Sequence, residues 1–336
     1  MTATTTAPDK DLGQDDARIA DALGGFVQKA TETVSHKLDP VVERYAQMFA
    51  HGARTPVLKD PGDVGLEFEE TFFPSLDGVP LEAWFIPADS DRLLIVNHPM
   101  TCNRYGFPGH LAPWNTMFGG FEVDFLPELR HLHDAGYNIL TYDLRNHGRS
   151  GEGNGGISGL GLLECRDVVG SLRHAKGRED LASMKTGLYS RCMGGNSTVI
   201  AMARWPEEFE GIEALVLLNV VSGKTFIERG AENFKLDPEK ATARLDERVH
   251  ELTGFRLADE TPLPSAPAVS APTLMAQLRR DFLIHGEEDG QEIFDALGAA
   301  EKELLWIEDS NQRFFAYNYF GLHPERLVDW FDRHMR

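Results

Sequence analysis

The stretch Gly187-Leu188-Tyr189-Ser190-Arg191-Cys192-Met193-Gly194-Gly195 decides the fold. It joins a short apolar strand to a helix, with small residues two positions before and two positions after Cys192. A nucleophile elbow needs this spacing, because its strand-to-helix turn is so tight that larger side chains would collide with neighbouring backbone. Ser190 is a poorer candidate for the nucleophile, since its own flanking residues would be Leu188 and Cys192.

Cys192 can be interpreted in two ways. A free cysteine is commonly a small buried apolar residue with no chemical role. Here the residue stands at a predicted helix N-terminus, where the helix dipole favours the thiolate. The strand, turn and helix around it therefore favour a nucleophile.

Predicted strands and helices alternate on both sides of this elbow. Continuous apolar runs such as 93–96 are typical of strands buried on both faces. Alternation of this kind predicts a mainly parallel sheet with helices on both of its faces. The pattern places strands at 66–73, 81–86, 93–96, 137–142, 186–189, 214–221, 273–276 and 304–307, and helices at 126–135, 160–174, 193–204, 291–297 and from about 324.

Three segments lie outside this alternation. Residues 1–16 form a polar, disordered tail, and 17–60 form an N-terminal helical extension with apolar residues at helical spacing. The extension would pack on the main domain or on a second subunit. A homo-oligomer formed through these helices is therefore one of two alternatives. Residues 222–271 are too long for an ordinary connection and predict an inserted lid. The core is then residues 65–221 and 272–336.

Two further motifs carry a family resemblance. Asp143-Leu144-Arg145-Asn146-His147-Gly148-Arg149-Ser150 and Asn97-His98-Pro99-Met100 follow predicted strands. With the elbow, they make residues 65–336 resemble the α/β-hydrolase superfamily, and the cysteine is similar to that of its dienelactone-hydrolase-like members. The resemblance implies an α/β-hydrolase fold with a mainly parallel eight-stranded sheet. The elbow departs from Gly-x-Ser-x-Gly at Ser190 and Cys192.

The resemblance also implies an oxyanion hole made by two backbone N–H groups. The matching residues are Met193, directly after the nucleophile, and Met100 in the loop after the third strand, with Thr101 as the alternative in that loop. His98 could be mistaken for a general base. Its position beside Pro99 favours a supporting role that orders the loop.

Two aspartates compete for the acid that orients the base. Asp289 follows His285-Gly286-Glu287-Glu288, which looks like the acid turn of the family. Asp281 follows the strand at 273–276 and leaves room for a loop and a helix before the last strand. Loop length favours Asp281.

The base is the weakest part of the resemblance. The family places a histidine shortly after the last strand, but Gln312 stands near that position. The next histidine is His323, which either folds inward to act as the base or lies exposed before the last helix. The alternative site has no histidine and supports the thiolate with arginine, from Arg191, or from one of two arginines in the loop after the fourth strand, Arg145 and Arg149.

Composition limits the partners. The formal net charge of -20 argues against nucleic acid and against anionic membrane surfaces, which bind basic patches. No apolar stretch reaches the roughly 20 residues of a membrane span. Three cysteines fit neither a disulfide framework nor a zinc site, which is typical of a cytoplasmic protein. No metal or organic cofactor is implied.

Three functions remain. The first is a hydrolase in which Cys192 attacks a small-molecule ester, lactone or thioester and forms an acyl-enzyme, with Asp281 and His323 moving the proton. The second is an acyltransferase or cyclase that passes the same acyl group to another nucleophile. The third is a degenerate protein that binds a ligand without catalysis.

Overall fold

A computed structural model describes residues 38–336, apart from residues 53, 117 and 234. The predicted tail over 1–16 and the beginning of the predicted extension lie outside the described residues. Ten strands are present in the described part. They are β1 (Glu69–Pro74), β2 (Pro80–Ile86), β3 (Arg92–Asn97), β4 (Gly106–Phe107), β5 (Val123–Asp124), β6 (Asn138–Tyr142), β7 (Lys185–Arg191), β8 (Ile212–Leu218), β9 (Thr273–Leu278) and β10 (Lys302–Ile307).

Eight of these strands form one sheet in the order β1-β2-β6-β3-β7-β8-β9-β10. The neighbours from β6 to β10 pair in parallel, and β1 and β2 pair antiparallel at one edge. The central strand β3 is buried on both faces, since Leu93, Leu94 and Ile95 are all fully covered. This confirms the predicted mainly parallel, eight-stranded sheet, whose apolar runs are covered by helices on each side.

The helices of the described residues alternate with the strands. They are α1 (Leu38–Ala50), α2 (Leu126–Asp134), α3 (Cys165–Gly177), α4 (Met193–Arg204), α5 (Gly223–Asn233), α6 (Pro238–Thr253), α7 (Gly286–Ala296), α8 (Arg313–Ala316), α9 (Tyr319–Leu322) and α10 (Glu325–His334). Helix α4 has the bounds that the sequence predicts. Among the described helices, none combines the length and apolar composition that crossing a membrane requires.

The insertion over 222–271 contains α5 and α6, and α1 packs against it. Arg248 of α6 donates from Nε to Glu43 of α1 at 2.6 Å. Phe49 of α1 meets Phe226 of α5 edge to face, with ring centroids 5.7 Å apart. The described helix of the N-terminal extension therefore covers the insertion.

Several predicted bounds differ from the structure: α3 begins at Cys165 and not at 160, and β8 ends at Leu218 and not at 221. Helix α7 begins at Gly286, five residues before the predicted start at 291. A Cβ at Gly286 would lie 2.4 Å from the Leu278 carbonyl oxygen, so glycine marks a close approach of helix and strand. The acidic run after it is a favourable first helical turn, since carboxylates there complement the helix dipole. The sequence also did not predict the β4–β5 hairpin.

Candidate active site

The elbow around Cys192 has the strained geometry that its spacing predicts. Cys192 lies between β7 and α4 with φ 46° and ψ −114°, a backbone conformation that a residue with a Cβ rarely adopts. A Cβ at Gly194 would lie 2.7 Å from the His98 carbonyl oxygen, so a larger residue would not fit. Ser190 is buried, and its Oγ accepts from Asn97 at 2.8 Å. Ser190 therefore links the elbow to β3, and Cys192 occupies the tip of the turn.

The structure brings the two expected oxyanion elements next to each other. Met193 is the first residue of α4, so its N–H has no partner within the helix. The loop after β3, which carries Met100, lies against the elbow at Gly194. In this loop Thr101 has φ 68°, and its carbonyl oxygen accepts from the Thr55 hydroxyl at 3.3 Å.

His98 orders this loop. The imidazole is buried, and its Nδ1 lies 2.8 Å from the Pro99 carbonyl oxygen. The Leu144 backbone N–H donates to Nε2 at 2.9 Å. Nε2 is thus an acceptor and Nδ1 a donor, which fixes the neutral tautomer. Burial, followed by the neighbouring His147, holds the pKa of His98 well below its ordinary value. The ring joins the loops after β3 and β6, which matches the supporting role.

Asp281 lies in the loop after β9 and is buried, with 4% of its surface exposed. Its Oδ1 accepts from the Leu283 N–H at 2.8 Å. Its Oδ2 accepts from Nη1 of Arg313 at 2.6 Å. Burial raises the pKa of Asp281, while the charge of Arg313 opposes that shift. Asp289 instead lies inside α7 and accepts from the Ser222 N–H at 3.1 Å. Asp281 therefore takes the place expected of the acid.

Arg313 lies next to Gln312, near the position where the resemblance predicts a histidine. It is the first residue of α8, six positions after the end of β10, and it is buried with 2% of its surface exposed. Nη2 donates to the Asn219 carbonyl oxygen at 2.5 Å, and Nε is buried without a hydrogen-bond partner. Burial lowers the pKa of Arg313, but its interactions with Tyr317, Asp281 and Cys192 outweigh burial and raise that pKa. Arg313 is thus a permanent cation beside the sulfur.

Tyr317 completes the group around Cys192. Its hydroxyl forms a hydrogen bond with the Cys192 side chain, and the ring is buried with 1% exposed. Burial and the neighbouring sulfur raise the pKa of Tyr317 well above its ordinary value, so the phenol stays protonated. Cys192, Arg313, Asp281 and Tyr317 form one buried cluster, which we call the sulfur cluster.

His323 does not join the sulfur cluster, which corrects the prediction that Asp281 orients it. Its side chain is 51% exposed, and Nε2 lies 3.6 Å from the carboxylate of Asp309. The segment 313–322 folds into two short helices, α8 and α9, and turns Arg313 inward while His323 caps the outer end of α9. Both oxygens of Asp281 already have partners. Of the two alternatives for His323, the structure shows the exposed one.

The arginines that the sequence proposed as thiolate supports have other partners. The guanidinium of Arg191 forms an ion pair with Glu128 in which both side chains are buried, and it stacks on Phe125 and Tyr189. Arg145 pairs with Asp167 at 2.7 Å. Arg149 is 55% exposed at its side chain and lies 3.3 Å from Glu70. The arginine that the structure places near Cys192 is Arg313, one residue after Gln312.

Aromatic residues enclose the sulfur cluster. Phe226 of the insertion lies over the Arg313 guanidinium, 5.4 Å from its ring centroid. Phe118 stacks on Phe314 with centroids 3.9 Å apart. Cys192 is 4% exposed. A surface cleft of about 610 Å³ adjoins Asp281 from outside, and the residues that line it do not include Cys192. The sulfur is therefore shielded from solvent.

The described residues hold no group of three or more histidine, cysteine, aspartate or glutamate side chains placed to bind a metal. Cys102, Cys165 and Cys192 are all buried and free. No disulfide therefore competes with Cys192 for its sulfur.

Solved structures share this architecture. An esterase from Pyrococcus furiosus is 20% identical, with a TM-score of 0.64 over 86% of this chain and 99% of that chain. An esterase from Exiguobacterium antarcticum is 15% identical, with a TM-score of 0.52 over 80% and 99%. The α/β hydrolase GrgF from Penicillium sp. sh18 is 18% identical, with a TM-score of 0.54 over 80% and 99%. At these identities the similarity shows the α/β-hydrolase fold.

No protein-family model and no curated protein sequence matches the chain. The predicted α/β-hydrolase fold is confirmed by the structural similarity. The closer resemblance to dienelactone-hydrolase-like members stays a prediction, and so do the roles of individual site residues.

Proposed function

We propose that this protein is an acyl-transfer enzyme that cleaves an ester, lactone or thioester of a small molecule through an acyl-cysteine. The observation that carries the proposal is Cys192 at a strained elbow with the Arg313 cation beside its sulfur. Backbone strain of this kind costs of order 1–3 kcal/mol and persists where the surrounding structure enforces it. A protein that only binds a ligand does not need a strained backbone at Cys192. This argues against the alternative of a non-catalytic binding protein.

In this proposal the Cys192 thiolate attacks the carbonyl carbon. The Met193 and Met100 N–H groups receive the oxyanion, in the arrangement that stabilises developing charge in this fold. Arg313 stabilises the thiolate by charge, and Asp281 fixes the guanidinium at 2.6 Å. Tyr317 orients the sulfur through its hydroxyl. The insertion over 222–271 acts as a lid, with Phe226 over Arg313.

The first test is acylation of the protein by a chromogenic aryl ester series, followed by intact-mass measurement and mapping of the peptide that contains Cys192. The wild type should carry one acyl group on Cys192 and release the phenol. Cys192→Ala should fold normally, carry no acyl group at residue 192 and release no phenol. Cys192→Ser should retain little activity, because a serine hydroxyl needs a strong base. Normal turnover by folded Cys192→Ala would refute the nucleophile.

The structure also favours the second function, transfer to a nucleophile other than water. Water must lose a proton as it attacks, whereas Arg313 is charged at all working pH and accepts no proton. A neutral amine attacks with its own lone pair, the carbon–sulfur bond breaks, and the acidic N–H proton of the adduct passes to the departing Cys192 thiolate, so that no separate base is needed. Adding glycine methyl ester to the trapped acyl-enzyme should therefore yield the amide faster than water yields the acid. Hydrolysis that outpaces a saturating amine would exclude this function.

A further inference from the structure

Arg313 also limits which acyl donors Cys192 can cleave, because it affects which leaving groups can depart from the acyl carbon. In acyl transfer from an alkyl ester, the tetrahedral intermediate holds two leaving groups, the Cys192 sulfur and an alkoxide. Thiolates leave far more readily than alkoxides, so the alkoxide departs only if an acid protonates it. Histidine supplies that proton in the usual site. The guanidinium of Arg313 stabilises negative charge but keeps its own protons.

The neighbouring groups do not replace the missing acid. His98 and His147 are buried, and each has Nδ1 against a backbone carbonyl oxygen, at 2.8 Å from Pro99 and from Arg145. Burial comes first among the causes that lower the pKa of each ring, so both stay neutral. The Tyr317 phenol and the Cys102 thiol near Cys192 keep their protons, because burial raises the pKa of each group well above its ordinary value and makes both weak acids. An intermediate with a poor leaving group would therefore return to the ester.

We infer that the acyl donor is a thioester, an assignment that rests on the proposed acyl-cysteine function. The Cys192 sulfur forms a bond to the carbonyl carbon, and the carbon–sulfur bond of the donor breaks. The electron pair of that bond leaves on the donor sulfur as a thiolate. No proton moves, nothing is oxidised or reduced, and the two leaving groups are of equal quality. Arg313 stabilises the thiolate on either side of the exchange by charge.

The test uses matched donors that differ in the leaving group alone. Wild-type protein is mixed with the N-acetylcysteamine thioester and with the ethyl ester of the same acyl group, in acetyl, butyryl and octanoyl series. Acylation of Cys192 is followed by quench and intact mass. The rate ratio of thioester to ethyl ester is compared with the ratio for free N-acetylcysteine. We expect the ratio on the protein to exceed the free-thiol ratio by about a hundredfold, the usual scale for a missing general acid.

Two variants identify the cause. Arg313→Lys keeps a cation and should therefore keep the high rate ratio of thioester to ethyl ester. Arg313→His restores a proton donor. It should lower the rate ratio of thioester to ethyl ester by raising the rate of acylation by the ethyl ester. A wild-type ratio within about tenfold of the free-thiol ratio would overturn the thioester assignment while leaving the acyl-cysteine intact. If neither these donors nor aryl esters acylate Cys192, the proposed function itself fails, and the thioester assignment fails with it.

Discussion

Arg313 donates to Asp281 at 2.6 Å, and both side chains are almost fully buried. The resemblance to the α/β hydrolases predicts a histidine as the partner of this carboxylate, and the structure places an arginine there. The pair holds a positive charge beside Cys192 that no change within the working pH range removes. In the proposed function this charge stabilises a thiolate at Cys192 and takes no part in proton transfer.

Asp281→Asn should destabilise the protein far more than Asp289→Asn. Removing one partner of a buried ion pair leaves the other charge uncompensated, at a cost of about 3–5 kcal/mol. Asp289 accepts a backbone N–H, and burial raises its pKa to about 6. An asparagine oxygen can accept the same bond. Urea denaturation of both variants at pH 7 measures the difference. A larger loss for Asp289→Asn would show that the wrong carboxylate was assigned to Arg313.

His323→Ala should leave acylation of Cys192 within about twofold of wild type, far from the hundredfold loss of a general base. The reason is the position of the ring at the surface, with Nε2 3.6 Å from Asp309. Single-turnover acylation by an aryl ester is the measurement, and Asp309→Ala is the matched control. A hundredfold loss in folded His323→Ala alone would restore the histidine to the site.

Arg191→Met should lower stability by about 3–5 kcal/mol, because it leaves the buried Glu128 carboxylate unpaired. The double variant with Glu128→Gln should regain part of that loss, since it removes the second charge. In both variants, Cys192 of the folded protein should acylate at close to the wild-type rate. A selective loss of acylation without loss of stability would make Arg191 a direct support of the thiolate.

Glu260→Gln should stabilise the protein increasingly as pH rises from about 5 to 8. Glu260 is fully covered, and both carboxyl oxygens lack a hydrogen-bond partner. Burial raises its pKa from 4.5 to about 8, so the folded state keeps a proton that the unfolded chain has lost. Stability of the wild type therefore falls across this window.

Thermal denaturation of wild type and Glu260→Gln at several pH values checks this. Glu239→Gln, at an exposed glutamate of the same insertion, is the control and should change little. A difference between Glu260→Gln and wild type that stays constant from pH 5 to 8 would contradict a buried, protonated Glu260.

The sequence predicted those features that local geometry enforces. The elbow could be found because a tight turn tolerates few residues at 190 and 194, and the sheet because buried parallel strands read as apolar runs. Asp281 could be preferred over Asp289 because it leaves enough residues for a loop and a helix before the last strand. Arg313 could not be predicted this way, because the resemblance implies a histidine near residue 312 and no local pattern marks an arginine as its replacement. The inward turn of α8 depends on contacts with Asp281 and Asn219, which are distant in sequence.

We propose that Arg313, and no histidine, makes Cys192 reactive as a thiolate. The direct measurement is the rate at which iodoacetamide alkylates Cys192 at pH 6, read by peptide mapping in proteins shown to be folded by near-UV circular dichroism. Wild type and Arg313→Lys should react much faster than a free thiol, and Arg313→Gln should react at least about tenfold more slowly than wild type. Equal rates for wild type and folded Arg313→Gln would contradict the account.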